Sequence, residues 1–77
     1  MKVYRNLKEA MRRERVTQGE LAALLGVHRN TVEGKINGRI DGGFYTDEAF
    51  TVHEAFFGKY TPQWLFARFD EARDTKQ

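Results

Sequence analysis

Thr17-Gln18-Gly19-Glu20-Leu21-Ala22-Ala23-Leu24-Leu25-Gly26-Val27-His28-Arg29-Asn30-Thr31-Val32-Glu33-Gly34-Lys35-Ile36-Asn37-Gly38 is the stretch that decides the fold. It opens on a capping box. The Thr17 hydroxyl accepts from one orphan backbone N–H of a helix starting there, and the Glu20 carboxylate reaches back to another. Leu21, Ala22, Leu24 and Leu25 supply the buried face of that helix. Gly26 ends it, because glycine enters the left-handed conformation without a Cβ clash. A helix of about eight residues is marginal alone and depends on packing. Only Gly26, Val27 and His28 separate it from a second helix over about Arg29 to Asn37. Val32 and Ile36 give that helix an i, i+4 apolar seam, and Arg29, Asn30, Glu33 and Lys35 lie on its other side. Gly34 costs about 1 kcal/mol of helix propensity relative to alanine, so some neighbour is expected to require a small residue there. Asn37-Gly38 then stops the helix.

Three more helices surround this pair. The first runs from about Val3 or Asn6 to Arg15, with Leu7, Ala10 and Met11 on one face. Residues 38–45 form a connection containing Gly38, Gly42 and Gly43. A fourth helix is expected to start with Thr46 as N-cap and Asp47 and Glu48 in its first turn, where negative charge suits the dipole; Gly58 ends it. Thr61-Pro62 opens a fifth, with threonine at N-cap and proline at N1, and Trp64, Leu65, Phe66 and Phe69 as its apolar residues. No sustained period-2 alternation points to a strand. The expectation is an all-α, five-helix domain over residues 1–69, followed by a polar tail at 70–77.

Composition narrows the function. The chain has 77 residues, enough for one small domain and not two. It has no cysteine, and His28 and His53 stand far apart without evident partner ligands. No metal, cofactor or small-molecule ligand is therefore expected. No nucleophile and base stand at a supporting spacing, and no glycine-rich phosphate loop follows a strand; no catalytic residue is assigned and no enzyme is expected. There is no export signal and no apolar run of the ~18 residues that a membrane span needs, so the cytoplasm is the expected compartment. The net charge of +2 hides an asymmetry. Residues 1–39 hold nine Lys/Arg against four Glu, net +5; residues 40–77 hold four against seven Asp/Glu, net −3. A basic first half fits a polyanionic partner.

Two short helices joined by a tight turn, with Ala22, Leu25, Val27, Val32 and Ile36 packing them at a steep angle, have the geometry of a helix-turn-helix over about 17–38. Thr17 to Val27, then Arg29-Asn30-Thr31-Val32 and Ile36-Asn37-Gly38, resembles the XRE family of phage-repressor and Cro-like DNA-binding domains. The resemblance covers about residues 5–69. Phe44 to Phe66, with its Phe56-Phe57-Gly58 and Trp64-Leu65-Phe66 clusters, is also similar to small prophage regulators of this family. It implies a lambda-repressor-like fold, a double-stranded DNA operator as partner and a homodimer, weak in solution and completed on DNA. It further implies that Gln18 contacts a phosphate and braces the second helix, with the Gly19 end of the same helix offering backbone N–H groups. Arg29 and Asn30 take the base-reading positions, where arginine suits guanine and asparagine adenine. His28 sits at the cap, and Thr31 touches a phosphate or a thymine methyl. Family members often carry a long base-reading side chain one turn on. Gly34 stands there, so Glu33 or Lys35 is expected to substitute. Asn37 and Arg39 follow the helix, where the family contacts backbone phosphate.

Plainer roles compete for several residues. Arg12, Arg13 and Arg15 suit a solvated helix face, Glu33 would repel phosphate, and His53 suits packing. Phe44, Phe50, Phe56, Phe57, Trp64 and Phe66 are core by default, yet exceed what so small a core takes, which points to a dimer contact. The rival function is a helix-turn-helix scaffold used for protein contact, as in an antitoxin or adaptor, through the acidic and aromatic second half.

Overall fold

The computed structural model describes residues 2–70. It is mostly helical, with five helices and one small sheet. The order is β1 (Lys2–Val3), α1 (Arg5–Glu14), α2 (Gln18–Leu25), α3 (Arg29–Ile36), α4 (Thr46–Phe56), α5 (Pro62–Leu65) and β2 (Phe69–Asp70). No helix among the described residues is long and apolar enough to cross a membrane.

The capping box at the start of α2 forms as its residue spacing requires. Thr17 Oγ1 accepts the Glu20 N–H at 3.1 Å, and Glu20 Oε1 accepts the Thr17 N–H at 2.8 Å. Gly26 closes α2 with φ +70°, in the region where a side chain would be strained. Three residues later α3 begins, and α2 packs against it more extensively than any other two elements pack. Leu21 and Ala22 of α2 and Val32 and Ile36 of α3 are buried in this contact and the adjoining core. Full burial of such a side chain contributes roughly 1.5–3 kcal/mol. Leu24, expected on the buried face of α2, is instead exposed, because the seam against α3 is narrower than that face.

α1 closes the core with Leu7, Ala10 and Met11; α4 and α5 add Val52 and Leu65, and the residue after α4 adds Phe57. Tyr4 ties the segments together. Its N–H donates to the Ile36 carbonyl at 3.0 Å, and its hydroxyl accepts the Phe44 N–H at 3.0 Å. The chain passes over that hydroxyl at Gly43, whose φ is +65° and whose absent Cβ would strike the Tyr4 oxygen.

Several boundaries differ from expectation. Thr46 is the first residue of α4 and Tyr45 its cap; the Glu48 carboxylate accepts the Tyr45 N–H at 2.9 Å. α4 stops at Phe56, with Phe57 at the C-cap. Thr61 and Pro62 start α5 as expected, with the Trp64 N–H donating to Thr61 Oγ1, but that helix is only four residues long. Phe66 is its C-cap, and Phe69 belongs to β2. The sheet is an addition to the all-helical expectation: Val3 pairs with Phe69 and Lys2 with Asp70, antiparallel. Two residues per strand are too few to show a period. Asp70, expected in the tail, is thus paired, and the rest of that expected tail, 71–77, lies outside the described residues.

Candidate nucleic-acid interface

The N-terminal end of α2 carries Gln18 and Gly19 as its first two helical residues. The capping box satisfies the N–H groups of Thr17 and Glu20 and leaves those of Gln18 and Gly19, which have no acceptor within the helix. These two N–H groups and the positive end of the helix dipole suit an anion such as a phosphate. A Cβ on Gly19 would meet only Thr17 Oγ1, at 3.7 Å, so the fold does not demand glycine there.

His28 is the N-cap of α3 and is exposed; its carbonyl accepts from Thr31 and Val32, and its side chain makes no capping bond. Arg29 and Asn30 follow in the first turn, both exposed, and no hydrogen bond or ion pair holds either side chain among the described residues. Thr31 is half-buried. With 100° per residue, positions 30, 33 and 37 share one side of α3, 32, 35 and 36 share the side that enters the protein, and Arg29 lies at the edge between them.

On the outer side a polar chain links three elements. Lys8 Nζ of α1 donates to Asn37 Oδ1 at 3.1 Å. Asn37 Nδ2 donates to Glu33 Oε2 at 2.9 Å, and Arg39 Nη1 donates to the same oxygen at 2.8 Å. Glu33 and Arg39 also form a direct ion pair. The carboxylate expected to read a base is thus occupied by its neighbours. Its pairing with Arg39 is partly exposed and contributes at most about 1 kcal/mol. Lys8 was not identified by sequence pattern: it stands 29 positions from Asn37, and no local spacing signals that approach.

Lys35 corrects the sequence reading. It was expected at the surface, facing phosphate, but is buried at 7% exposure. Its ammonium pairs with Glu48 Oε1 at 2.8 Å and lies 4.4 Å from the centre of the Tyr45 ring. At position 35 the helix turns inward, and a lysine there satisfies its charge on α4. Lys35 thereby ties α3 to the first turn of α4.

Gly34 has its explanation in Ile40. The chain folds back after α3 so that the N–H groups of Arg39 and Ile40 both donate to the Gly34 carbonyl, at 2.9 and 3.1 Å. A Cβ on Gly34 would lie 2.8 Å from Ile40 Cδ1. The outer surface of α3 at Gly34 is thus covered by a loop residue, Ile40.

No protein-family model, curated protein or solved structure matches this chain. What the site does therefore rests on its own geometry. Hydrogen bonds join Lys8, Glu33, Asn37 and Arg39; Gln18 and Gly19 open α2, His28, Arg29 and Asn30 stand exposed at the start of α3, and Lys35 is withdrawn into the protein. Lys8, Arg29 and Arg39 stand against two carboxylates, Glu20 and Glu33, so these residues carry a positive balance.

Proposed function

We propose that this chain binds duplex DNA sequence-specifically as a transcriptional regulator of the XRE, Cro-like type, with α2 and α3 as its helix-turn-helix. The observation that carries the reading is the exposure of Arg29 and Asn30 at the start of α3; the α2 N-terminus, whose Gln18 and Gly19 N–H groups have no acceptor within the helix, adds to it. The three-residue connection between two eight-residue helices, packed on each other and backed by α1 and α4, also supports a lambda-repressor-like arrangement.

In this mechanism the basic first half draws the protein to DNA. The N–H groups of Gln18 and Gly19, with the Gln18 side chain, hold one phosphate, and Lys8, Asn37 and Arg39 approach the backbone at the other end of α3. Arg29 and Asn30 read base edges in the major groove, which is wide enough for one helix. Glu33 orients Arg39 and Asn37. Lys35 acts from inside by tying α3 to α4. One such module offers little contact area for selective binding, so two copies on half-sites about 34–36 Å apart are expected, in the cytoplasm, as a binding protein and not a catalyst.

Selection of binding sites from random duplexes at two salt concentrations tests the reading. A recovered motif, with binding that weakens steeply as salt rises, is the expected result. The rival, a scaffold for protein contact, draws on the exposed Tyr45 and Phe50 rings. It predicts no motif.

A further inference from the structure

A groove between the start of α4, the α5 segment and the 42–44 loop combines aromatic walls with one charge. Tyr4, Phe44, Phe50 and Phe66 line it, around a volume of about 540 Å³. Tyr4, Phe44 and Phe66 brace one another, with centroids 5.2, 6.2 and 6.3 Å apart in tilted and edge-on contacts. Phe50 stands beside them, 58% exposed. Arg68 is the one charged residue of the lining among the described residues. Its guanidinium lies over the Tyr4 ring at 5.3 Å. Its Nε is buried and donates to no acceptor; no other buried side-chain nitrogen or oxygen among the described residues shares that condition. The protein itself encloses Nε, so it is the remainder of the guanidinium, where Arg68 lines the groove, that can meet an acceptor, and a charged donor gains most from a charged one.

We propose that this groove binds a small monocarboxylic acid with an aromatic or branched apolar body. The carboxylate meets Arg68, and the body lies against Phe44, Phe50 and Phe66. One cation among apolar walls selects a single negative charge. A polyanion or an acidic peptide would bring further charges against Asp41 and Asp47, exposed residues adjoining the lining positions Gly42 and Thr46. The volume lies in the range of small-molecule sites. This site is separate from the proposed DNA surface, and its test uses no DNA.

Titration of the ¹⁵N-labelled full chain with phenylacetate, followed by amide chemical shifts, tests the proposal, with phenylacetamide as the uncharged control. A fragment of this size at ordinary ligand efficiency binds with a Kd on the order of 1 mM. The expected result is shifts centred on Phe44, Phe50 and Phe66, with phenylacetamide about tenfold weaker or worse. Arg68→Met, which keeps the stem over Tyr4, loses the preference for the acid. Phe50→Ala removes a mostly exposed ring and so retains the fold, and it weakens phenylacetate severalfold. Equal binding of acid and amide, shifts lying elsewhere, or unchanged affinity in both variants overturns the proposal.

Discussion

Lys35→Met distinguishes an internal lysine from a phosphate-binding one by two readouts in one variant. Methionine preserves most of the stem volume and removes the charge. In the folded protein this leaves the Glu48 carboxylate without the ammonium at 2.8 Å, though Glu48 keeps the Tyr45 N–H and some exposure to water (17%). Breaking a fully buried pair costs about 3–5 kcal/mol, and an exposed pair is worth at most about 1. The partial exposure of Glu48 sets the expected cost between these, at about 1–2 kcal/mol. Glu48→Ala should be worse, at about 3 kcal/mol, because it leaves a buried ammonium facing only aromatic rings and also deprives Tyr45 of its N-terminal acceptor. The double change Lys35→Met with Glu48→Gln should recover part of the loss, since no unpaired charge remains. Urea unfolding followed by circular dichroism measures all four proteins. The second readout is DNA affinity against salt: under the proposed function Lys35→Met leaves the slope unchanged, as its charge never meets a phosphate. A variant of full stability whose slope is reduced by about 0.9, the value of one phosphate contact, would refute the internal role of Lys35.

Other perturbations probe other joints. Gly34→Ala gains about 1 kcal/mol of helix propensity but drives its Cβ into Ile40 Cδ1. The change should therefore be neutral or destabilising alone and stabilising by about 1 kcal/mol in an Ile40→Ala background; additive energies in the double-mutant cycle would contradict the contact. Trp64 is 36% exposed and stacks on Tyr60 at 5.5 Å, so Trp64→Ala should cost about 1–2 kcal/mol, below the 3–5 of a fully buried tryptophan. A loss in the fully buried range, measured by urea unfolding, would show that the core depends on it. The Tyr60 hydroxyl, donating to Glu14 at 2.7 Å, and then Lys59 hold the Glu14 carboxyl below its usual pKa. A lowered native pKa means stability that is complete above the unfolded carboxylate value and lost as pH falls through the native one. The same contact, by disfavouring phenolate beside a carboxylate, raises Tyr60, so its share is complete below the unfolded tyrosine pKa and lost as pH rises through the raised value. Tyr60→Phe should flatten the acid limb of a stability–pH profile below the ordinary glutamate range; an unchanged limb would remove Tyr60 from the account.

Those features held by neighbours in sequence were the legible ones. The Thr17–Glu20 box, the Gly26 stop and the Val32–Ile36 seam each involve residues within four positions, where spacing and side-chain type determine the contact. Lys35 is illegible for the opposite reason. Its partner Glu48 lies thirteen residues away, and a lysine on a polar-looking helix reads as solvated until tertiary packing turns it inward. Gly34 signalled that something small was needed, but only the return of the chain at Ile40 says what. The aromatic residues divide in the same way. Phe57 is fully buried and Phe50 mostly exposed, although residues seven apart share one side of a continuous helix; α4 ends at Phe56, and it is the non-helical backbone at Phe57 that carries that ring into the core. The sheet between residues 2–3 and 69–70 joins the two ends of the described chain, beyond the reach of any local pattern.

The most direct test of the central claim is the affinity of wild type and Arg29→Ala for the selected duplex and its single-base variants, measured by fluorescence anisotropy across a salt series. Wild-type binding should fall steeply with salt and discriminate against one particular base change by about 1–3 kcal/mol. Arg29→Ala should lose that discrimination and retain the salt slope. Salt-independent binding, or equal loss of affinity for every sequence on removing Arg29, would contradict a base-reading α3.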